Sequence, residues 1–260
     1  MASIKQALDL SGKTALITGG SRGLGLQIAE VLGEQGAHVI LSARKAEELE
    51  HAQKHLSGMG IKADWFAADS QKIEEIDRLV EQALSRSSRI DILVNNAGAT
   101  WGAKTEDHSL DAWDKLMNLN VRSIFYLTQQ IGKISMIPNG GGKILNIASI
   151  AGLRGNHPHS IPTLAYNTSK AAVVNMTRAL ASEWGKYGIN VNALAPGYFL
   201  SKMTKGVIES VGLEKMTADV PLSRIGDEDD LKGAALLFCS AAGKHITGQI
   251  LAIDGGLMAM

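Results

Sequence analysis

The fold is decided by the segment Ala15-Leu-Ile-Thr18-Gly19-Gly-Ser-Arg-Gly23-Leu-Gly25, in which a short apolar run enters a glycine-rich turn and then an amphipathic stretch. Glycines let the backbone turn tightly and approach a pyrophosphate, while free amide groups at a helix start meet its negative charge. The spacing is Gly-x-x-x-Gly-x-Gly rather than the more usual Gly-x-Gly-x-x-Gly. Because the turn directly follows the first apolar run, we interpret it as a dinucleotide-binding turn rather than a plain loop.

Beyond this turn, short apolar runs alternate with longer amphipathic stretches to the end of the chain, which is typical of a parallel sheet covered by helices on both faces. We therefore predict a single α/β domain over residues 1–260, a Rossmann-type, doubly wound parallel sheet of about seven strands. The predicted strands cover residues 14–18, 38–42, 62–67, 90–95, 143–148, 190–195 and 250–253. The predicted helices cover residues 23–35, 46–57, 73–85, 110–134, 164–186 and 228–240.

The composition favours a small-molecule partner. The 26 basic and 26 acidic residues cancel, so no broad field attracts nucleic acid or anionic lipid. The single cysteine, Cys239, lies in an apolar run and is interpreted as a core residue. The N-terminal residues lack the apolar region of a secretory signal, and no segment approaches about 18 uninterrupted apolar residues. We expect a soluble, cytoplasmic protein.

The second predicted strand indicates which dinucleotide is bound. An acidic residue after that strand would bind the ribose hydroxyls of NAD, but the segment here is Leu41-Ser-Ala-Arg44-Lys45. The Arg44 guanidinium can bind a 2′-phosphate through two hydrogen bonds, and Arg22 in the glycine turn can add a second cation. The sequence therefore predicts NADP. The alternative is that Arg44 and Lys45 form a solvated helix start, where cations are disfavoured.

A second candidate for chemistry is the pair Tyr166 and Lys170, which lie four residues apart in a predicted helix and so share one face. A tyrosine with its ordinary pKa of about 10 is a poor base at neutral pH. A cation roughly 4 Å away, at an effective dielectric constant near 20, favours the phenolate by about 4 kcal/mol and lowers the pKa by about three. The pair is a candidate proton-transfer device near pH 7, although this spacing also occurs by chance on many helices.

Five motifs occur in a fixed order: the glycine turn, Asn95-Asn-Ala-Gly98, Ser149, Tyr166-x-x-x-Lys170 and Pro196-Gly197. Together they resemble the short-chain dehydrogenase/reductase family over nearly the whole chain. The resemblance implies an enzyme that interconverts a ketone and a secondary alcohol by hydride transfer with a nicotinamide cofactor.

The resemblance also implies catalytic roles. In that family a tyrosine is the general acid or base, a lysine lowers its pKa and holds the nicotinamide ribose, a serine bonds the substrate oxygen, and an asparagine holds a water that links the lysine to solvent. These residues would be Tyr166, Lys170, Ser149 and Asn120, with Asn118 as the nearest alternative to Asn120.

Further positions are implied as cofactor contacts. They are Gly19, Ser21, Arg22 and Leu24 at the pyrophosphate and ribose, Asp69 and Ser70 at the adenine, Asn96, Ala97 and Gly98 at the adenosine ribose, and Gly197 and Phe199 at the nicotinamide amide. Tyr166 and Lys170 belong to this set as well. Asp69 has an alternative role as the cap of the helix predicted from residue 73, and Asn95-Asn96 has one as an ordinary turn.

This chemistry needs no metal. As hydride reaches a carbonyl carbon, negative charge grows on the oxygen, and Ser149 and Tyr166 are donors that meet that charge. His157 and His159 are a weak zinc candidate, because two imidazoles without further nearby His or Cys make a poor site. We predict no metal site.

Two segments are expected to border the substrate. The interval from Ser149 to Tyr166 is longer than is usual in the family, and we place the extra residues at 155–162. Residues 198–219 are predicted to form a lid that excludes water from the hydride path.

Four further side chains near these segments have two interpretations each. Trp101 and Met203 are candidates for an apolar pocket wall or for core packing. Lys202 and Lys205 are candidates for solvated lid residues or for contacts to a phosphate on an acyl carrier.

Within the family, segments 95–102 and 196–204 most resemble NADPH-dependent 3-oxoacyl reductases, and sugar-acid dehydrogenases of the gluconate 5-dehydrogenase type share much of the pattern. The resemblance favours a 3-oxoacyl thioester or similar ketone, with a sugar acid or polyol as the alternative. A catalytically silent nucleotide-binding regulatory protein is an alternative of another class, but all four catalytic positions are filled. Family members are commonly homotetramers that pair through helices equivalent to 110–134 and 164–186.

Overall fold

The computed structural model describes residues 3–156, 161–200, 208 and 212–260. Its centre is one sheet of seven parallel strands in the order β3-β2-β1-β4-β5-β6-β7. The strands are β1 Thr14–Thr18, β2 His38–Ala43, β3 Ala63–Ala67, β4 Ile92–Asn95, β5 Gly142–Ile147, β6 Ile189–Pro196 and β7 Ile250–Ile253. The predicted single-domain α/β fold is confirmed, and each predicted strand is present to within about two residues.

Helices cover both faces of the sheet. They are α1 Ile4–Leu8, α2 Gly23–Glu34, α3 Ala46–Gly58, α4 Ile73–Arg86, α5 Leu110–Met117, α6 Ser123–Ile131, α7 Leu164–Trp184, α8 Leu213–Thr217 and α9 Lys232–Cys239. Adjacent residues of one strand point to opposite faces, so Ile17 packs with Ile28 of α2 on one side while Leu16 packs with Leu79 of α4 on the other. The apolar strands are therefore buried on both faces.

Cys239 is buried in the first of these two cores, as predicted. Among the described residues, no helix has the length and apolar character needed to cross a membrane.

The chain reverses direction across the sheet between β1 and β4, which are hydrogen-bonded neighbours although three helices and two strands separate them in sequence. In open α/β sheets ligands bind at this reversal, outside the carboxyl ends of the strands. The glycine turn after β1 and the Asn95-Asn-Ala-Gly98 segment after β4 meet there.

Two predicted helices differ from those observed. The helix predicted over 110–134 is interrupted by wider, π-helical turns at Asn118–Arg122 and Gly132–Met136. The helix predicted from residue 228 begins only at Lys232. The Asp230 carboxylate accepts a hydrogen bond from the backbone amide of Asp227 and forms an ion pair with Arg224, which holds the preceding residues in a turn.

Candidate active site

The glycine turn has a conformation that side chains would not allow. Gly19 and Gly23 have φ values of +64° and +54°. A Cβ atom on Gly25 would lie 2.3 Å from the carbonyl oxygen of Gly19. The turn is therefore compact, and the first turn of α2 approaches the end of β1 closely enough to present its amide groups to an anion.

A hydrogen-bonded bridge joins this turn to the end of β4. The Thr18 hydroxyl accepts bonds from the amides of Asn96 and Ala97, both at 3.1 Å. The Asn96 side chain donates back to the carbonyl oxygens of Thr18 and Gly19, both at 3.0 Å. Asn96 thus fixes the turn from behind, and Thr18, which the sequence identified only as a strand residue, is its partner. The sequence signal for this role of Thr18 was its position as a polar residue at the end of an apolar strand.

Asn95, the preceding residue, lies inside the core rather than in an exposed turn. Its side-chain amide donates to Thr128 of α6 and to Asn146 of β5, both at 2.9 Å. The turn interpretation of Asn95-Asn96 is therefore wrong, because both side chains hold neighbouring elements together.

Tyr166 and Lys170 lie on one face of α7, as predicted, with the Lys170 Nζ 5.7 Å from the centre of the Tyr166 ring. Lys170 is buried, and its ammonium donates a 2.8 Å hydrogen bond to the carbonyl oxygen of Ile147 at the end of β5. Ser149 follows two residues later, so α7 and the end of β5 bring the three predicted side chains together.

The electrostatics differ from the expectation for the isolated pair. Burial raises the pKa of the Tyr166 phenol, and the neighbouring Ser149 hydroxyl only partly opposes this rise. Burial also lowers the pKa of Lys170 to about 8. The expected lowering of the Tyr166 pKa is therefore wrong for this arrangement, because the ammonium lies beneath the ring against a carbonyl and burial disfavours both charged forms. With its pKa raised, the Tyr166 phenol is protonated at neutral pH.

The Ser149 hydroxyl can still act as a hydrogen-bond donor. Its hydroxyl oxygen accepts a 3.1 Å bond from the amide of Ala151, while its side chain lies at the cavity wall. With the oxygen used as an acceptor, the O–H group can be directed toward a carbonyl oxygen beside Tyr166.

Asn120 is fully enclosed in the π-helical turn between α5 and α6. Its Oδ1 accepts from the amide of Ala99 at 3.0 Å, and its Nδ2 donates to the Ala99 carbonyl oxygen at 2.9 Å and to the Ser169 hydroxyl at 3.0 Å. A Cβ atom on Gly98 would lie 3.3 Å from Asn120 Oδ1 and 3.6 Å from Lys170 Nζ. These contacts place Asn120 behind the cavity wall near Lys170. The sequence did not indicate Ser169, which α7 directs toward Asn120.

One cavity of about 2460 Å³ connects all the predicted cofactor positions. It is large enough for a dinucleotide and a further small molecule, since pockets for drug-sized ligands are roughly 300–1,000 Å³. The predicted positions that line it are Gly19, Ser21, Arg22, Leu24, Arg44, Asp69, Ser70, Asn96, Ala97, Gly98, Tyr166, Lys170, Gly197 and Phe199, together with Ser149. Asn120 lies outside this lining.

Asp69 does not cap α4. Its carboxylate accepts a hydrogen bond from the amide of Gln71, and its own amide donates to Glu75. The residue before α4, Lys72, makes no side-chain cap. The helix-cap interpretation is wrong, and Asp69 remains at the cavity wall.

The end of the cavity near the glycine turn is charged. Arg22 Nη1 lies 2.7 Å from the Glu48 carboxylate, and Lys45 Nζ lies 3.5 Å from it. The Ser21 hydroxyl also donates to this carboxylate, at 3.4 Å. Arg44 is exposed on the same wall. Glu48 was not among the predicted residues, because in sequence it is one of several acidic residues in α3.

The opposite end carries an aromatic wall. Trp101 is 41% exposed and lines the cavity, so the core-packing interpretation is wrong for it. His108 packs edge-on against Trp101 with ring centres 4.7 Å apart, and Trp113 lies behind His108. Arg154 also lines this end.

Hydrogen bonds among Asn156, Thr163 and Asn167 close the base of the segment predicted to contain extra residues. His157, His159, Met203, Lys202 and Lys205 lie outside the described residues. Within the described part of the chain, no three His, Cys, Asp or Glu side chains cluster as metal ligands.

The parallel sheet order, the glycine turn and the cavity at the β1/β4 reversal define a dinucleotide-binding protein. Comparison with known proteins gives the family. The family model described as short chain dehydrogenase matches residues 13–211, so the chain belongs to the short-chain dehydrogenases and reductases, which are oxidoreductases.

Relatives of this chain in that family differ in the activities for which they are named. The chain is 38% identical to a gluconate 5-dehydrogenase of Gluconobacter oxydans over 254 residues, which is 96% of each chain. It is also 38% identical to a rhamnolipids biosynthesis 3-oxoacyl-[acyl-carrier-protein] reductase of Pseudomonas aeruginosa, over 95% of this chain and 97% of that one. A solved gluconate 5-dehydrogenase of Burkholderia cenocepacia, in complex with NADP and tartrate, matches with a TM-score of 0.93 and 32% identity over 99% of this chain and 100% of that chain.

Proposed function

We propose that this protein catalyses the NADPH-dependent reduction of a ketone to a secondary alcohol, with a 3-oxoacyl thioester as the favoured substrate class. The observation that carries the proposal is that Tyr166, Lys170 and Ser149 line the same cavity as the glycine turn. Nucleotide binding and proton donation thus occur in one continuous space. Such a juxtaposition is what hydride transfer to a carbonyl requires.

The glycine turn suits a dinucleotide because its glycines let the backbone pack closely and present its amides to a pyrophosphate. A Cβ atom on Gly19 would lie 2.7 Å from the Asn96 side-chain nitrogen, and one on Gly25 would lie 2.3 Å from the Gly19 carbonyl oxygen. Gly98 lies beside Asn120 and Lys170, where a Cβ atom would approach both side chains. The reduced nicotinamide, when bound, supplies the hydride. The side chains of the protein position the carbonyl group of the substrate and stabilise the charge that develops on its oxygen.

We assign the proton transfer to Tyr166. The protonated phenol donates its proton to the carbonyl oxygen as negative charge grows there, and the Ser149 hydroxyl donates a hydrogen bond to the same oxygen. Lys170 stabilises the phenolate that remains. We assign Asn120 to holding the Lys170 end of the proton path in place, through its bonds to Ala99 and Ser169.

The preference for NADP is proposed from the charges at the adenosine end. Arg22 and Arg44 line that end, and Lys45 lies beside them. The Burkholderia relative whose structure contains NADP supports the same cofactor. The ratio of kcat/KM for NADPH to that for NADH is the test, and we expect at least about tenfold in favour of NADPH, since each 1.4 kcal/mol is a factor of ten. A preference for NADH would contradict it.

A sugar acid is the second candidate substrate. Arg154, Lys115 and Lys215 line the substrate end, which suits a carboxylate, and the Gluconobacter and Burkholderia relatives are gluconate 5-dehydrogenases. Trp101 instead offers an aromatic face to an acyl chain. A panel of acetoacetyl-CoA, 5-ketogluconate, a diketone and an aryl ketone, each with NADPH, separates the two. Highest kcat/KM on 5-ketogluconate would reject the 3-oxoacyl assignment.

Tight NADPH binding without turnover of any ketone would instead support a silent binding protein.

We also propose a lid over residues 198–219, of which residues 201–207 and 209–211 lie outside the described part of the chain, together with a homotetramer and a cytoplasmic location. Tyr198, Leu200 and Met216 line the cavity at its substrate end, as a lid would.

Phe125 of α6 and Leu164 of α7 are exposed apolar side chains on the two helices predicted to pair subunits. Sedimentation equilibrium is the test of assembly, and a monomer would contradict the tetramer.

A further inference from the structure

Glu48 pairs with Arg22, one of the two cations predicted to bind a 2′-phosphate, and with Lys45, the neighbour of the other. Its carboxylate forms the 2.7 Å ion pair with Arg22, lies 3.5 Å from Lys45 and accepts the hydrogen bond from Ser21. All four side chains line the same end of the cavity. A carboxylate therefore holds the position that complements these donors.

The Glu48 carboxylate is ionised at neutral pH. Burial opposes ionisation, but Arg22 and Lys45 outweigh this effect and hold the pKa of Glu48 below its ordinary value. Its side chain is 29% exposed, whereas those of Arg22 and Lys45 are 52% and 68% exposed. Glu48 is less exposed than either cation, so a ligand that reaches them must either move Glu48 or accept a negative charge beside it.

Glu48 weakens the binding of an anionic ligand beside Arg22 and Lys45 in two ways. The carboxylate competes for Arg22 and Lys45, which would otherwise bind the ligand, and its charge repels a phosphate within a few ångströms. A ribose bearing a free 2′-hydroxyl meets neither effect, because a neutral hydroxyl can donate to the carboxylate. The same side chain thus acts in opposite directions on NADP and NAD.

We propose that Glu48 is a specificity-determining residue that limits the preference of this protein for a 2′-phosphorylated dinucleotide. The inference rests on the proposed function only in taking this cavity to be the dinucleotide site. Arg22, Lys45 and Arg44 provide the attraction for the 2′-phosphate, and Glu48 sets how much of that attraction is available. Replacing the Glu48 carboxylate by a neutral amide of the same shape should increase the attraction of these cations for the 2′-phosphate.

The test is nucleotide binding by Glu48→Gln, with Glu47→Gln as the matched control. Glu47 is the adjacent residue of the same first helical turn, is exposed and carries the same charge. Isothermal titration with 2′,5′-ADP, 5′-AMP, NADPH and NADH measures each Kd at one low salt concentration. Circular dichroism melting of both variants reports whether the fold is retained.

We expect Glu48→Gln to tighten the binding of 2′,5′-ADP and NADPH by about three- to tenfold, while the binding of 5′-AMP and NADH stays equal or weakens. Glu47→Gln should change none of these by more than about twofold. An unchanged or lower ratio of the NADH Kd to the NADPH Kd in folded Glu48→Gln would overturn the inference. So would an equal gain in Glu47→Gln.

The probes without nicotinamide separate this inference from the proposed function. A shift in 2′,5′-ADP binding by Glu48→Gln in a protein that reduces no ketone would support the role of Glu48 and reject the proposed reaction. A wild type that prefers 5′-AMP, together with a Glu48→Gln variant that prefers 2′,5′-ADP, would reject NADP as the cofactor and still support Glu48. Failure of wild type and variant to bind any of the four nucleotides would overturn both.

Discussion

The two ends of the cavity differ in burial and in the interactions that hold their polar side chains. At the adenosine end, Arg22, Lys45 and Glu48 form a partly exposed ionic group. At the catalytic end, Lys170 and Asn120 are 5% and 0% exposed and are held by hydrogen bonds. Exposed ion pairs contribute about 0–1 kcal/mol each, whereas a buried polar group left without its partner costs about 1–3 kcal/mol. From this difference we expect nucleotide affinity to be adjustable at the exposed end and the reaction rate to depend on the buried end.

The largest expected effect breaks the catalytic end. Tyr166→Phe removes only the phenolic hydroxyl, so kcat for ketone reduction should fall by about 10³-fold while the Kd for NADPH changes little, since general acid catalysis contributes about 10²–10⁴-fold. Steady-state kinetics and a fluorescence titration of NADPH measure the two quantities. Retention of more than about a tenth of the wild-type kcat would show that another group donates the proton.

The pH dependence should also originate at the buried end. Lys170, with its pKa lowered to about 8, is charged below that pH and neutral above it, whereas Tyr166, with its pKa raised, stays protonated. Reduction uses both protonated forms, so kcat/KM should be level below about pH 8 and fall about tenfold per pH unit above it. A pH profile with saturating NADPH measures this. Lys170→Arg, which stays charged, should move the decline to higher pH, and an unchanged profile would contradict the role of Lys170.

A smaller effect should follow from loosening the catalytic end without touching its reacting groups. Ser169→Ala removes the bond to Asn120 and the bond to the Tyr166 carbonyl oxygen. We expect kcat to fall about fivefold with KM for NADPH unchanged, since one hydrogen bond contributes about 1 kcal/mol.

Thr168→Ala is the control for Ser169→Ala, because it removes a similar bond on the same helix, to Leu164. An equal loss of kcat in both variants would indicate general helix destabilisation instead of positioning.

The smallest effect should appear at the adenosine end. Raising the salt concentration from about 0.05 M to 0.5 M shortens the Debye length and screens the exposed cations, so KM for NADPH should rise about two- to threefold. KM for NADH and kcat should change less. Equal salt dependence for the two cofactors would show that the cations around Arg22 do not contact the 2′-phosphate.

Much of the fold was predictable because its signals are local. β1 contains the apolar run Ala15-Leu-Ile and β2 contains the apolar run Val39-Ile-Leu, and the glycine turn requires φ values that other residues adopt poorly. The helix boundaries were less predictable. The π-helical turn at Asn118–Arg122 contains Asn120, which bonds to Ala99 at a distance of 21 residues in sequence. The late start of α9 follows a turn held by Asp230, whose contacts with Asp227 and Arg224 are local but are not indicated by apolar periodicity.

The candidate site was predictable as a set of residues but not as an electrostatic environment. Motif order indicated Ser149, Tyr166 and Lys170, and the sheet brings them together. The raised pKa of Tyr166 was not predictable from spacing, because it depends on burial by elements distant in sequence. Ser169 and Glu48 were missed for the same reason, since each is significant only through a partner 49 or 26 residues away.

The sequence by itself determined which functional motifs the chain carries and in what order. They are a glycine turn, an Asn-Asn-Ala-Gly segment, a serine, and a tyrosine four residues before a lysine. These are properties of backbone conformation and residue type, which neighbours in sequence control. Only the tertiary structure decided which atoms are charged and which charges are already paired. Lys170 is buried against Ile147, and Arg22 is paired with Glu48, because burial and Coulomb energy depend on distances in space.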